Sequence, residues 1–269
     1  MTDETFSIQR PVKAKEFYDD DMGTALANCQ ETASPLFMPD LIVARTNAQK
    51  GSRIWQVWYT TPSIRATGTT AGGANVVVYA HCPNYLSNPR NIAKAKEAGL
   101  VNGAGRIPQK EFQKLVDSDE KTDQAGNRLV YVVDYDILRK ASSGVISVDD
   151  ALAHPQTIPF CGGKAQAEGY LPKHMENYGK RIGNWHSDDL NADSPLGRLL
   201  YVGGSGSDGL SGNDSLDGSS RFGGVPKSAV GTQRKISEPT STQVIKITRD
   251  YVAPRNRAEL EARVKGLFQ

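Results

Sequence analysis

The histidines and carboxylates of this chain gather at the ends of apolar runs. His81 follows the run at 75–79, the pair Asp134 and Asp136 follows 129–133, and His186 with Asp188 and Asp189 follows 181–185. The carboxyl ends of parallel neighbouring strands share one edge of a sheet. Converged there, Asp134, Asp136, His186, Asp188 and Asp189 would offer oxygen and imidazole ligands to a divalent cation, with His81 or Glu176 as a base. Such a centre polarises a phosphoryl or carbonyl oxygen and ionises a bound water. The same residues also have a purely structural reading, in which Asp-x-Asp caps a turn and His-Ser-Asp-Asp is a solvated loop.

Two stretches resemble known metal sites in part. His186-x-Asp188 has the spacing of the facial-triad iron oxygenases, yet the four histidines are at 81, 154, 174 and 186, so no third ligand follows. The stretch Gly203 to Ser211 matches the glycine- and aspartate-rich nonapeptide of calcium-binding β-rolls, and 212–217 is similar to the last six positions of a second unit. This resemblance to repeats-in-toxin proteins implies Asp208 and Asp214 as calcium ligands. Stacked turns of that kind need about three copies to bury a core, so a lone unit also reads as a glycine loop.

Nucleophilic and phosphate-binding motifs are incomplete. Gly-x-Ser-x-Gly does not occur, and Cys82 and His81 are adjacent residues whose side chains leave a strand on opposite faces. Cys161, ahead of Gly162 and Gly163, reads either as a thiol at a helix N-terminus, activated by the dipole, or as a buried cysteine. Neither Gly162-Gly163-Lys164 nor the turn at 102–105 completes a phosphate loop. Arg53, Lys94, Lys96 and Arg106, with Trp55, Trp58 and Tyr59 nearby, could present phosphates and bases with a basic aromatic face. A net charge of +2 over 269 residues argues against it.

The elements that must position these residues read as follows. Residues 1–35 lack periodicity and are expected as an N-terminal arm. A mixed α/β core is expected over 36–202. Leu41, Ala44, Ala48, Trp55 and Trp58 fall at helical spacing, as one helix or one broken at Gly51, ended by Pro62. The stretches 63–67 and 75–79 flank Gly72 and Gly73 as a β-hairpin. Asn88-Pro89 opens a helix that Gly99 stops, and Pro108 opens another. The run at 129–133 reads as a strand buried on both faces, and Lys164 to Tyr178 as a helix kinked or divided by Pro172. A Gly/Ser/Asp-rich region follows at 203–232. A strand around Ile245 and Ile247 and a docking helix with Leu260, Val264 and Leu267 complete 233–269. The fold class expected is mixed α/β (α+β): one sheet with at least one antiparallel hairpin, flanking helices and long glycine-rich loops.

Three dispersed cysteines, an acidic start and no apolar run of about 18 residues suit a soluble, cytoplasmic protein without a membrane partner. The function expected is a non-catalytic structural or assembly subunit, working through interfaces with copies of itself or other proteins. The alternatives are a divalent-metal hydrolase, a nuclease or phosphodiesterase using magnesium or calcium, and a nucleic-acid-binding subunit. Whether the chain is an enzyme stays open at this stage.

Overall fold

The computed structural model describes residues 5–9, 12–187 and 190–227. In chain order its elements are β1 (Thr5–Gln9), β2 (Val12–Asp19), α1 (Met22–Thr32), β3 (Ala33–Pro35), α2 (Met38–Asn47), α3 (Arg53–Gln56), β4 (Tyr59–Thr69) and β5 (Asn75–Ala80). Then come α4 (Pro89–Glu97), β6 (Gly105–Arg106), α5 (Gln109–Val116), β7 (Val130–Asp134), α6 (Tyr135–Lys140), β8 (Gly144–Ser147), α7 (Val148–Ala151) and α8 (Thr157–Cys161). The last are α9 (Lys164–Tyr178), β9 (Arg181–Trp185), β10 (Leu196–Val202), β11 (Leu210–Ser211) and β12 (Ser220–Pro226).

The α+β class is as expected, but the strands form two sheets rather than one. The larger runs β7-β5-β4-β10-β11-β9-β8, with β6 beside β10, and the smaller runs β1-β2-β12-β3. Pairing is antiparallel except between β9 and β11. The β4–β5 hairpin has the predicted strands, with Arg65 opposite Tyr79 and Thr67 opposite Val77.

Alternation along β5 explains why both faces of the larger sheet are covered. Val77 and Tyr79 join a core with Trp55, Phe160 and Tyr170, whereas Val78 and Ala80 join one with Ile92, Phe112 and Leu199. The strand buried on both faces is therefore β4, every residue of which from Tyr59 to Gly68 is buried. The stretch at 129–133 was expected in that role, but β7 pairs with β5 alone and grades from buried Val130 to exposed Asp134.

Three further expectations are corrected. Residues 12–35 are no arm: β2, α1 and β3 pack into the fold, with Met22, Ala25, Leu26 and Cys29 fully buried. The helix from Met38 stops at Asn47, and Gly51 (φ +69) turns the chain before α3. Pro62 then lies inside β4, where the register with β10 shifts between Leu199 and Tyr201. A bulge suits proline because no ladder hydrogen bond is required of it there. Helix α9 continues through the exposed Pro172. Asn88 caps α4 through its side chain, as its sequence position implies, and Ser147 caps α7. The strand and docking helix expected over 233–269 lie outside the described residues. No helix among the described residues is long and apolar enough to cross a membrane.

Candidate recognition surface

The antiparallel order separates the groups that a shared strand edge would bring together. Because β5 and β7 run in opposite directions, Val76 is opposite Asp134 while His81 donates its backbone N–H to Leu129 at the other end. Roughly 15 Å of strand separates those ends at the usual rise per residue. Asp134 caps α6, accepting from the Ile137 N–H at 3.0 Å, and Asp136 pairs with Arg139 at 3.3 Å. Glu176 pairs with Lys173 at 2.8 Å on the exposed side of α9. Among the described residues no three His, Cys, Asp or Glu groups assemble as a cation would need; Asp188 and Asp189 lie outside them.

The histidines are absorbed by the interior. His81 is buried, with Nδ1 3.0 Å from Ser63 Oγ and Nε2 2.8 Å from the Pro159 carbonyl. Burial lowers its pKa to about 4. His154 Nδ1 accepts from the Gln156 N–H, which leaves Nε2 protonated and donating to Ser142 O at 3.0 Å. The His186 ring lies 5.7 Å from the His154 ring. Beneath them, Tyr79 OH donates to Gln156 Oε1 at 2.9 Å, and Gln156 Nε2 donates to Asn184 Oδ1 and the Trp185 carbonyl. Asn184 in turn donates to Thr157 Oγ1 at 2.8 Å. This is a closed polar layer between α8 and β9. Cys161 sits at the C-terminal end of α8, not at a helix N-terminus, and burial raises its thiol pKa, so the activated-nucleophile reading is overturned.

The stretch 203–211 is a hairpin loop between the antiparallel β10 and β11, not a turn of a β-roll. Its glycines serve close packing: a Cβ on Gly209 would lie 2.0 Å from the Gly183 carbonyl, and one on Gly183 2.1 Å from that of Ser207. Gly183 N–H donates to Gly206 O and Gly203 N–H to Gly209 O, so the loop is fixed by backbone. Asp208 accepts from Ser205 Oγ at 2.7 Å and Asp214 from the Ser215 N–H at 3.1 Å. Both nevertheless raise the pKa of one phenol, Tyr201, after the larger effect of its burial.

Tyr201 belongs to an arrangement that sequence spacing does not reveal. Its ring lies 5.6 Å from Trp58, and Trp58 meets Tyr18 edge-on at 6.2 Å. The Arg221 guanidinium lies 5.3 Å from the Tyr18 ring centre and 5.4 Å from that of Trp58. These residues come from β2, the segment before β4, β10 and β12, so the patch joins the two sheets. Tyr18 is 50% exposed. Carboxylates rim it: Asp20 accepts from Tyr18 OH at 2.7 Å, and Asp208 and Asp214 flank Tyr201. Burial lifts the Asp214 carboxyl to about 6. Beneath the patch Glu16 accepts from Tyr59 OH at 2.6 Å and pairs with Arg53 at 3.0 Å and Arg221 at 3.7 Å. The other cations considered for nucleic acid are dispersed: Lys96 pairs with Asp21, Arg106 donates to the Gly99 carbonyl, and Lys94 is exposed in the last turn of α4.

A solved structure, described as "Accommodation of massive sequence variation in Nanoarchaeota by the C-type lectin fold", matches this architecture with a TM-score of 0.75 and 52% sequence identity. The match covers 81% of this chain and all of that one. The chain belongs to this C-type lectin-fold family. No family model matches the sequence, and no curated protein does either. In this C-type lectin-fold protein the loop at 203–209 is held by backbone hydrogen bonds and glycine contacts, while the exposed side chains of Ser207 and Asp208 reach only Ser205 beyond the close approach of the Asp208 Cβ to Gly203. The patch itself was legible only in fragments. Trp58 reads as a helical apolar position or a base-stacking group, and Tyr18, 40 residues earlier, carries no signal linking the two.

Proposed function

We propose that this protein is a non-catalytic recognition module that binds another protein through the Tyr18, Trp58, Tyr201 and Arg221 patch. The observation that carries the reading is the position of Arg221 against the faces of both Tyr18 and Trp58 at the surface. Trp, Tyr and Arg are the residues that dominate binding energy at protein interfaces, because they bury large area with few rotors to freeze. The carboxylate rim adds charge that steers a basic partner surface without enlarging the buried area. The relative from Nanoarchaeota supports the reading too: a fold that accommodates massive sequence variation can change exposed side chains while its backbone stays put. The loop at 203–209 suits such change at Ser207 and Asp208, provided Gly183, Gly203 and Gly209 remain.

The test is an array carrying folded proteins and glycans side by side, probed with the full chain and with a Tyr18→Ala/Arg221→Ala variant. Binding to protein spots that falls at least tenfold in the variant, with its melting temperature retained, is the expected result. Binding confined to glycans, or unaltered by the two substitutions, would overturn it.

A further inference from the structure

A second concave site lies away from the patch and shares no residue with it. Between the N-terminal end of α2 and the loop at 123–129 is a cavity of about 370 Å³, within the size range of small-molecule sites. Its apolar walls are Phe37, Pro39, Val43 and Leu129, and two carboxylates, Asp40 and Asp123, face it. From the geometry we infer that this cavity binds a primary ammonium group carried on an alkyl chain.

Four observations carry this. First, the polar lining is rich in acceptors. Asp123 fixes its own turn, accepting from the backbone of Ala125 and Asn127 and from Asn127 Nδ2, which leaves the Asn127 amide oxygen as an acceptor at the wall. The Gln166 side chain, also in the lining, hydrogen-bonds to no other described residue. Second, the cation in the wall is committed elsewhere: Arg128 pairs with Asp119, donates to the Val130 carbonyl and lies 4.5 Å from the Tyr131 ring. His81, at the floor, has both ring nitrogens bonded. Third, the two acids repel each other. Burial raises the Asp40 pKa, a backbone hydrogen bond at Phe37 partly offsets this, and the Asp123 charge raises it again, while the hydrogen bonds of its own turn lower the pKa of the exposed Asp123 and keep it ionised beside Asp40. Fourth, the cavity shares Val43 and Gln166 with a groove of about 230 Å³ between α2 and α9, where Ala165 and Gly169 add apolar surface. An ammonium ion at the carboxylates would therefore have a groove, apolar along Val43, Ala165 and Gly169 and polar at Thr46 and Asn47, for a linear hydrocarbon stem. A free alkyl diamine and the lysine side chain of a bound polypeptide share this chemistry.

Calorimetric titration of the full chain with cadaverine, with Nα-acetyl-lysine amide and with 1-pentanol tests the proposal. Binding of either amine but not of the alcohol is expected, with affinity falling at least tenfold in Asp40→Asn/Asp123→Asn. Asparagine at 123 keeps the turn, and a retained melting temperature shows that the fold is intact. Should that variant fail to fold, Val43→Trp, which fills the groove, is expected to abolish amine binding. A preference for cadaverine assigns the site to free amines, and one for the acetylated lysine to a polypeptide. Absence of binding by both amines, equal binding of 1-pentanol, or undiminished affinity in the carboxamide variant would overturn the inference.

Discussion

The polar layer between α8 and β9 and the aromatic patch on β2, β10 and β12 use similar side chains to opposite ends. In the layer, Gln156, Asn184, Tyr79 and Thr157 satisfy one another completely, away from water. In the patch the rings of Tyr18 and Trp58 meet Arg221 and each other, Trp58 also meets Tyr201, and Tyr18 remains half exposed. The lesson is that hydrogen-bonding residues concentrated in space do not by themselves mark a site. A closed network specifies the fold, and only capacity left facing solvent is available to a partner.

This comparison is sharpest where a closed network loses one member. Gln156→Leu would strand the Asn184 amide oxygen in the interior and take one partner each from the Tyr79 hydroxyl, which keeps Arg65, and the Trp185 carbonyl, which keeps the Gly212 N–H. At roughly 1–3 kcal/mol for the buried group left unpaired and about 1 kcal/mol for each of the other two lost hydrogen bonds, the expected loss is about 4 kcal/mol. For a chain of this size that corresponds to a melting temperature lower by about 10 °C, measurable by calorimetry. A loss under about 1 kcal/mol would mean that the layer tolerates opening and does not differ from the patch as argued.

The interior histidines predict a pH effect of the next size. Burial lowers His81, His174 and His186 to about 4 from the ordinary 6.5. Between those values the unfolded chain takes up protons that the folded chain refuses, so their contribution is full above pH 6.5 and is lost as the pH falls toward 4. For the fully buried His81 the effect is on the order of 3 kcal/mol. Urea midpoints at pH 7.5 and pH 4.5 would show it as a marked drop, and His81→Asn should flatten the dependence. A midpoint that holds or rises on acidification would show these rings to be solvated.

The contrast also explains what could be read from residues alone. Caps and short-range pairs were legible, because Asn88 and the β4–β5 hairpin depend on neighbours within a few positions. The start of β4 at Tyr59 and its burial on both faces were not, since its buried positions include Thr60, Thr61, Ser63, Arg65 and Thr67, polar residues that hide a core strand from hydropathy. The strand-end groups misled for a topological reason: three apolar runs ending in His or Asp look alike whether parallel or antiparallel, and direction is decided by pairing over long distances. The glycines at 203 and 209 likewise suggested a repeat where the actual constraint is one loop pressed against Gly183 of one strand. The patch needed Tyr18 and Arg221 to meet across two hundred positions, which only the β2–β12 register supplies.

The smallest expected effect is the one that bears most directly on the patch. Arg221 is held in place by Glu16, but Glu16 also accepts from Tyr59 OH at 2.6 Å and pairs with Arg53 at 3.0 Å, so removing the arginine does not leave that carboxylate alone. Arg221→Lys keeps the charge and gives up the planar group that lies against Tyr18 and Trp58. Cation–π contacts at partly exposed sites are worth about 0.5–1 kcal/mol, so chemical denaturation should register a loss below about 1 kcal/mol. A loss above about 2 kcal/mol would show Arg221 to be a structural tie between the sheets. The patch would then resemble the buried layer, and its side chains would no longer be spare for recognition.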